Sequence, residues 1–258
     1  MLIANPIYDV VFKSLMEDVE IAKGLIAVLT ERDVVHLDAK PQEMAVTIET
    51  GHSVTIHRLD YVATVRSSDG SLRKVLIEVQ KARLGSEIRR FREYLAKQYT
   101  RVETIVDEFG EPIKVDPHIV TIYILGFTLG DDIPGYAKVD RKYMDMLTRE
   151  YFEADCEFIE ALSHDTYILQ APRVGHEAQS ELERLLSIFS QSDFAESNHH
   201  TINYPDPLTK AKSKLFRRIL RHLVKLSSDV EVREKMDAED QAYSEFEAAV
   251  QSHNQQLK

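Results

Sequence analysis

The sequence is poor in the residues that build disulfides, zinc sites and phosphate-binding loops. It contains one cysteine, Cys156, and nine glycines in 258 residues. A single cysteine cannot form an internal disulfide, and no cysteine and histidine spacing typical of zinc is present. With so few glycines, no glycine-rich loop of the kind that cradles phosphate groups occurs. The fold must therefore be held together by burial of apolar side chains.

Long apolar runs and an excess of basic residues are missing as well. No stretch approaches the roughly 18 to 20 apolar residues of a membrane span, and the start lacks a basic region followed by an apolar stretch and a cleavage site. We therefore expect a cytoplasmic protein without a membrane contact. The formal net charge of -11 argues against nonspecific coating of nucleic acid, because phosphate binding depends on lysine and arginine. A local basic surface is compatible with that charge.

Apolar spacing predicts the elements of the first half of the chain. In order, they are helices over 8–29 with a break near Asp18, strands over 44–48, 57–65 and 76–80, a helix over 86–109, and a strand over 118–127 that is buried on both faces. A polar link around residues 39–41 precedes the first strand. Because a helix between two strands requires a crossover connection, this order predicts an α/β fold with a mixed sheet flanked by helices.

The second half of the chain gives a less regular pattern. Residues 152–162 and 167–170 fit either two short strands or a helix and a strand, and 178–189 fit a helix followed by a polar link over 190–206. A basic helix over 208–226 and a final acidic helix complete the chain. We expect a core over residues 1–130, an extension packed on it over 131–205, and a helical C-terminal tail over 206–258.

The final helix carries a narrow apolar stripe on an otherwise acidic surface. A stripe this narrow is more suited to docking on a partner than to forming a core, so the C-terminal helices could join two copies of the chain. Its members are Val232, Met236, Tyr243, Phe246 and Val250.

Two acids lie near the ends of the second and third predicted strands. Alternation places Glu78 and Gln80 on one face of the third strand and Val79 on the other, while Asp60 lies on the strand before it. Two carboxylates brought together repel unless a cation lies between them, and Mg²⁺ (or Mn²⁺) is a hard cation that one or two carboxylates hold. The Val79 carbonyl would add a third ligand, and Gln80 would contact the attacking water. The alternative is two solvated acids on an exposed sheet face, although their apolar neighbours make an unpaired acid costly.

These residues carry a family resemblance. The order helix, three strands, helix, strand, with Asp60 on the second strand and Glu78-Val79-Gln80 on the third, resembles the restriction-endonuclease-like core of the PD-(D/E)XK nucleases. More narrowly, it is similar to the bacterial PD-(D/E)XK nuclease family transposases and recombination-promoting nucleases. The similarity covers about residues 5–127. It includes Tyr8 to Lys13, Arg58-Leu59-Asp60, Ile77 to Gln80, and the following helix with Arg90, Tyr94 and Gln98.

The resemblance implies that Asp60 and Glu78 bind the metal, that Gln80 positions or activates water, and that the next helix contacts substrate or supports the site. Two positions depart from the general motif: Leu59 stands where it has proline, and Gln80 where it has lysine. Glutamine supplies hydrogen bonds but no positive charge near the phosphate, although the family does use Glu-x-Gln here. Lys81 cannot replace the missing lysine directly, because alternation turns it to the other face.

Further charged residues are candidates for the same site. Lys13 from the first helix would supply the missing cation, with Asp9 as an additional acid near the metal. A surface ion pair between these two residues, four apart on one helix, explains them equally well. Basic residues of the helix after Glu78 could follow a phosphate backbone, although a solvated helix face is an equal explanation. They are Arg89, Arg90, Arg92, Lys97 and Arg101.

Three functions are compatible with these observations. The first is a Mg²⁺- or Mn²⁺-dependent DNA endonuclease that hydrolyses phosphodiester bonds in transposition or recombination. The second is a nuclease-derived module, weakly active or inactive, that binds DNA or a partner protein. The third is an interaction protein organised by its last helices. The adjacent histidines His199 and His200 lack a third ligand at metal spacing and are expected at the surface.

Overall fold

A computed structural model describes most of the chain. It covers residues 1–50, 52–68, 70–81, 87–100, 102–106, 112–115, 118–139, 141–153, 156, 158–159, 162, 164–173, 180–205 and 213–256. For some of these residues only the backbone is described. They are 40–50, 52–60, 87–90, 93–94, 103, 105–106, 113, 115, 246–247 and 250–256.

Two consecutive helices follow the first strand, with Asp18 between them. Helix α1 spans Asp9–Glu17 and α2 spans Val19–Thr30. The Asp18 carboxylate accepts hydrogen bonds from the backbone N–H groups of Glu20 and Ile21, which makes it the N-cap of α2. The predicted break near Asp18 is confirmed. Both helices bury an apolar face against the sheet.

Within the described residues, the central sheet has six strands in the order β2-β3-β4-β7-β11-β8. Strands β4, β7 and β11 run parallel to one another, whereas the β2–β3, β3–β4 and β11–β8 pairs are antiparallel. The sheet is therefore mixed, as the element order predicts. The strands are β2 His36–Thr50, β3 His52–Arg66, β4 Leu72–Gln80, β7 His118–Leu125, β8 Tyr136–Val139 and β11 Asp165–Gln170.

Strand β2 begins earlier than predicted and includes the expected polar link. Pro41 lies inside it, across from Tyr61. A proline cannot donate a hydrogen bond to a sheet, but β2 is an edge strand and has a partner on only one side. Gly51, which separates β2 from β3, lies outside the described residues.

The helix after β4 is shorter than predicted. Helix α3 spans Glu87–Tyr99, and the residues that continue its apolar spacing belong instead to strand β5 (Glu103–Val106), which pairs with β6 (Pro112–Val115). Their apolar spacing fits both the helical and the strand repeat, but β-branched side chains favour the strand. The β-branched residues here are Val102, Thr104, Ile105 and Val106.

The rest of the chain adds short elements and two helices. Strand β12 pairs with β1, although the sequence predicts only a polar link there. The other elements are β1 Leu2–Ala4, β9 Tyr143–Met144, β10 Tyr151–Phe152, α4 Glu181–Leu186, β12 Thr201–Asn203, α5 Lys214–Ser227 and α6 Val230–Gln256, with 3₁₀ turns at Ala171–Arg173 and Ser187–Phe189.

The sheet separates two apolar clusters. The larger contains residues of α1, α2, α5 and α6 with Val75, Ile77 and Val79 of β4. The smaller joins Val62 and Leu76 of the sheet to Phe91 and Leu95 of α3. Helix α3 therefore covers one face, and the remaining long helices cover the other.

Part of the apolar stripe on α6 packs within the chain itself. Val232 and Met236 are buried in the larger cluster, so the expectation that they dock on a partner is wrong. They fill the space beside α5, which a sequence pattern cannot reveal. Phe246 and Val250 have side chains outside the described residues.

No helix in the part of the chain that the structure describes is both long enough and apolar enough to cross a membrane.

Candidate functional site

Strand β4 carries the candidate acid into the centre of the sheet. It runs between β3 and β7, and its last seven residues are buried. Apolar side chains of β4 at alternate positions, such as Ile77 and Val79, join the larger cluster, while Leu76 joins the smaller one under α3. By alternation, Glu78 and Gln80 lie on the same side of the sheet as Leu76 and α3.

Glu78 lies in a nearly closed environment. It is only 1% exposed and is paired in the parallel register with Tyr123 of β7. The Tyr123 ring packs against Phe91 of α3, with ring centroids 4.4 Å apart. Burial, and secondarily the negative charge of Glu78, raise the pKa of Tyr123. The carboxylate therefore lies between the sheet and α3, next to aromatic rings.

Three other polar side chains are buried on or near this face. Gln80 is buried, and its Nε2 has no hydrogen-bond partner among the described residues. Gln98 of α3 and Lys74 of β4 are also buried. The sequence patterns did not identify Lys74 as a candidate site residue, although it lies on the same face of the strand as Leu76 and Glu78. A lysine inside such an apolar strand is the signal that could have identified it.

The described pairing of β3 with β4 ends one residue short of Asp60. The antiparallel pairing of β3 with β4 joins Tyr61 to Ile77 and Val62 to Leu76. If that register continued by one residue, Asp60 would lie across from Glu78. The Asp60 side chain lies outside the described residues, so the meeting of the two carboxylates remains a prediction.

Asp9 and Lys13 form an ion pair with each other, with 2.9 Å between Lys13 Nζ and Asp9 Oδ2. This is the structural alternative that their spacing allows. The backbone N–H of Asp9 also donates to the Glu239 carboxylate at 2.9 Å. Both residues belong to α1, which packs on the sheet face opposite α3, and they line a groove beside α6. Their described contacts therefore do not join them to Glu78.

A second polar cluster lies at the end of β4, on the other side of the sheet. Lys81 Nζ contacts the Asp240 carboxylate of α6 and lies 3.6 Å from the centre of the Tyr8 ring. Its side chain thus points away from the α3 face, as alternation predicts. The Tyr8 hydroxyl donates to Asp240 Oδ2 at 3.0 Å, and His200 Nε2 lies 3.0 Å from the same oxygen. Asp240 therefore joins three elements that are distant in the sequence.

His200 corrects the expectation that both histidines lie at the surface. It is 1% exposed, and its ring meets the Tyr8 ring edge-on with centroids 5.1 Å apart. Strand β12, which follows His200 directly, pairs with β1, and the backbone N–H of Asn5 donates to the His200 carbonyl at 2.8 Å. Burial, and then the charge of Asp240, raise the pKa of Tyr8. Nothing in the local sequence around His200 signals this burial, since it follows from the pairing of the chain start with β12.

The basic residues predicted to follow a phosphate backbone are only partly described. Arg92 and Lys97 are exposed on α3. The side chains of Arg89 and Arg90 and all of Arg101 lie outside the described residues.

A metal site needs several converging ligands. Among the side chains that the structure describes, no three or more histidine, cysteine, aspartate or glutamate residues converge in this way. The Asp60 side chain is not among the described side chains. The described part of the site therefore offers one carboxylate, Glu78, with the Gln80 amide beside it on the strand.

Comparison of this chain with protein-family models, with curated proteins and with solved structures gives no match.

Proposed function

We propose that this chain is a metal-dependent DNA endonuclease whose ion would be held by Asp60 and Glu78. The observation that supports the proposal is the burial of the Glu78 carboxylate on a strand whose pairing with β3 ends at Tyr61, the neighbour of Asp60. Two acids at adjacent positions in a poorly solvated site repel each other strongly, and a divalent cation relieves that repulsion.

The residues fit a hard cation. Glu78, Asp60 and the Val79 carbonyl offer oxygen ligands only, which suits Mg²⁺ or Mn²⁺ better than zinc. When bound, such an ion lowers the pKa of a water ligand and neutralises charge on the phosphate. Gln80 Nε2, which has no partner among the described residues, is a hydrogen-bond donor free to orient that water or a phosphate oxygen.

The neighbouring elements support this role. Phe91 and Leu95 of α3 and Tyr123 of β7 form an apolar wall next to Glu78. Exclusion of bulk water by such a wall strengthens electrostatic interactions inside the site. The exposed Arg92 and Lys97 on α3 would contact the phosphate backbone outside it.

The test is cleavage of plasmid DNA in Mg²⁺ or Mn²⁺ by the wild-type chain and by Glu78→Gln. This variant keeps the shape of the side chain but removes its charge. We expect nicking to fall by at least about 10- to 100-fold, which is the loss caused by mutating residues that only support metal ligands. Glu150→Gln, at an exposed glutamate, is the matched control and should cleave normally. Cleavage that persists unchanged in Glu78→Gln and Asp60→Asn would rule out the proposed site.

A nuclease-derived binding module without cleavage is the second candidate. The 1% exposure of Glu78 favours it, because an active carboxylate must be reached by metal, water and substrate. The replacement of the motif lysine by Gln80 favours it as well, since no positive charge is then supplied at that position. DNA binding at neutral pH without nicking of single- or double-stranded substrates, in either metal, would select this function.

A further inference from the structure

Helix α5 presents a row of basic side chains to solvent. Lys214, Arg217, Arg221 and Lys225 follow one another at spacings of three, four and four residues, which places them on one face of the helix. We call these four residues the α5 basic face. All four are exposed or half-buried. This face stands out on a chain whose net charge is -11.

The cations of the α5 basic face have no acidic partner among the residues that the structure describes. Arg218, by contrast, pairs with Asp18 at 2.7 Å. Two acids of helix α6 pair elsewhere, Glu231 with Lys235 and Asp240 with Lys81. Among the described residues, no acid of α6 forms an ion pair with the α5 basic face. The positive charge of the α5 basic face is therefore available to bind an anion outside the chain.

Three of these four cations do not stabilise α5, whereas Lys225 lies in its last turn, where the helix dipole favours a cation. Its first turn holds no acid and begins with Lys214, although the positive end of the helix dipole favours acids there. Like charges one turn apart, such as Arg217 and Arg221, cost about 0.2–0.5 kcal/mol per pair. Local helix energetics thus oppose the cations at Lys214, Arg217 and Arg221, which makes binding of an anion the more direct explanation for them.

The core holds the α5 basic face rigidly. The opposite side of α5 is buried in the larger cluster, so the cations project from a fixed element. The buried residues are Phe216, Ile219, Leu220, Leu223 and Leu226. Because the apolar side of α5 is occupied by the chain itself, it is not available to enter a lipid bilayer, as an amphipathic membrane helix would.

The shape beside α5 fits an extended polyanion. A groove of about 880 Å³ runs between α2 and α5, lined by Arg217 and Arg221 on the α5 side and by Glu20 and Lys23 on the α2 side. Lys23 Nζ donates to the Val35 carbonyl at 2.9 Å, so the arginines provide most of the positive charge available in the groove. Eleven residue steps from Lys214 to Lys225 span about 16 Å along the helix. That length matches about five steps of 3.4 Å along one DNA strand.

We propose that the α5 basic face binds the phosphate backbone of duplex DNA. Helix α5 packs in the same cluster as Ile77 and Val79, on the side of the sheet opposite Glu78. The binding surface is therefore separate from the acid pair, and it does not depend on whether this chain cleaves a phosphodiester.

The experiment measures binding of a short fluorescein-labelled DNA duplex by fluorescence anisotropy over a range of salt concentrations, with EDTA present to prevent cleavage. The test variant is Arg217→Gln/Arg221→Gln. If both arginines contact phosphates, the slope of log K against log salt becomes shallower by about 2. Arg217→Lys/Arg221→Lys keeps the charge and should restore the wild-type slope.

The matched control is Lys142→Gln/Arg149→Gln, which removes the same charge from exposed positions beside and within the β9–β10 hairpin. Its slope should equal that of the wild type. Circular dichroism melting shows whether each variant is folded. Equal slopes for the test and control variants overturn the proposal. Binding to vesicles of anionic phosphatidylserine without binding to the duplex also overturns it and points to a membrane surface. Plasmid cleavage by Arg217→Gln/Arg221→Gln is measured in a separate assay with Mg²⁺. The binding assay contains EDTA and the cleavage assay does not, so failure of the DNA-binding proposal and failure of the nuclease proposal are observed independently.

Discussion

Replacing Asp240 by alanine tests whether the contacts around this side chain fasten α6 to the end of β4. Asp240 accepts from the Tyr8 hydroxyl at 3.0 Å and lies 3.0 Å from His200 Nε2, and it forms an ion pair with Lys81. Removing the carboxylate leaves the buried His200 ring and the Lys81 ammonium without this acceptor.

The magnitude follows from these contacts. A hydrogen bond to a charged group contributes about 1.5–3 kcal/mol, and leaving a buried donor unsatisfied costs about 1–3 kcal/mol. Asp240 is itself 35% exposed on its side chain, so water screens part of the effect. We therefore expect Asp240→Ala to lower the free energy of unfolding by about 2–3 kcal/mol.

Urea denaturation followed by circular dichroism measures this change. With a slope of about 2–3 kcal/mol per molar urea, the midpoint should fall by about 1 M. Asp237→Ala is the control: Asp237 is on the same helix, but its side chain is 66% exposed and lies 3.8 Å from His200. Its effect should stay within about 0.5 kcal/mol. Equal losses in the two variants would refute the reasoning, because they would show that the contacts of Asp240 contribute nothing specific.

Two further predictions concern stability. A hydrogen bond with His118, together with the charges of Lys138 and Arg32, lowers the pKa of Asp165 from 3.8 to about 2 against the effect of burial. A lowered folded-state pKa stabilises the protein above pH 3.8, and this contribution disappears as the pH falls towards 2. Asp165→Asn should therefore lower the free energy of unfolding, measured by urea titration at neutral pH, by about 2 kcal/mol. The difference from the wild type should become smaller as the pH falls towards 2. A difference that stays constant with pH would contradict this prediction. Gly126→Ala should destabilise by about 1–3 kcal/mol, because its Cβ would lie 2.6 Å from the Lys81 carbonyl oxygen, whereas Gly130→Ala meets nothing within 4 Å. Thermal melting compares the two glycine variants, and equal melting temperatures would count against the close contact.

Local sequence patterns predicted the elements around the candidate site because those elements depend on neighbouring residues. The break at Asp18 follows from an acid placed to cap a helix. The near-continuous apolar run of β7 predicted a strand buried on both faces, and β7 lies between β4 and β11. The apolar neighbours of Glu78 likewise indicated a buried acid, and Glu78 is buried.

Where one pattern suits two structures, the sequence alone was insufficient. The apolar spacing through Ile105 and Val106 continues the helix period, yet those residues form a strand with β6. The pair Asp9 and Lys13 suits either a site or a surface ion pair, and the structure shows the ion pair. In both cases the outcome depends on a partner that local spacing does not specify.

The sequence by itself determined the order of α1, α2, β2, β3, β4, α3 and β7, but not the short strands β1, β5 and β6. It also determined the alternation that turns Glu78 and Gln80 to one face and Lys81 to the other. Only the tertiary structure decided that His200 is buried, that Val232 and Met236 belong to the chain's own core, and that Asp240 joins Tyr8 to Lys81. The physical reason is that periodicity is set by adjacent residues, whereas these contacts join residues about 40 to 230 positions apart and form only when the sheet brings its helices together.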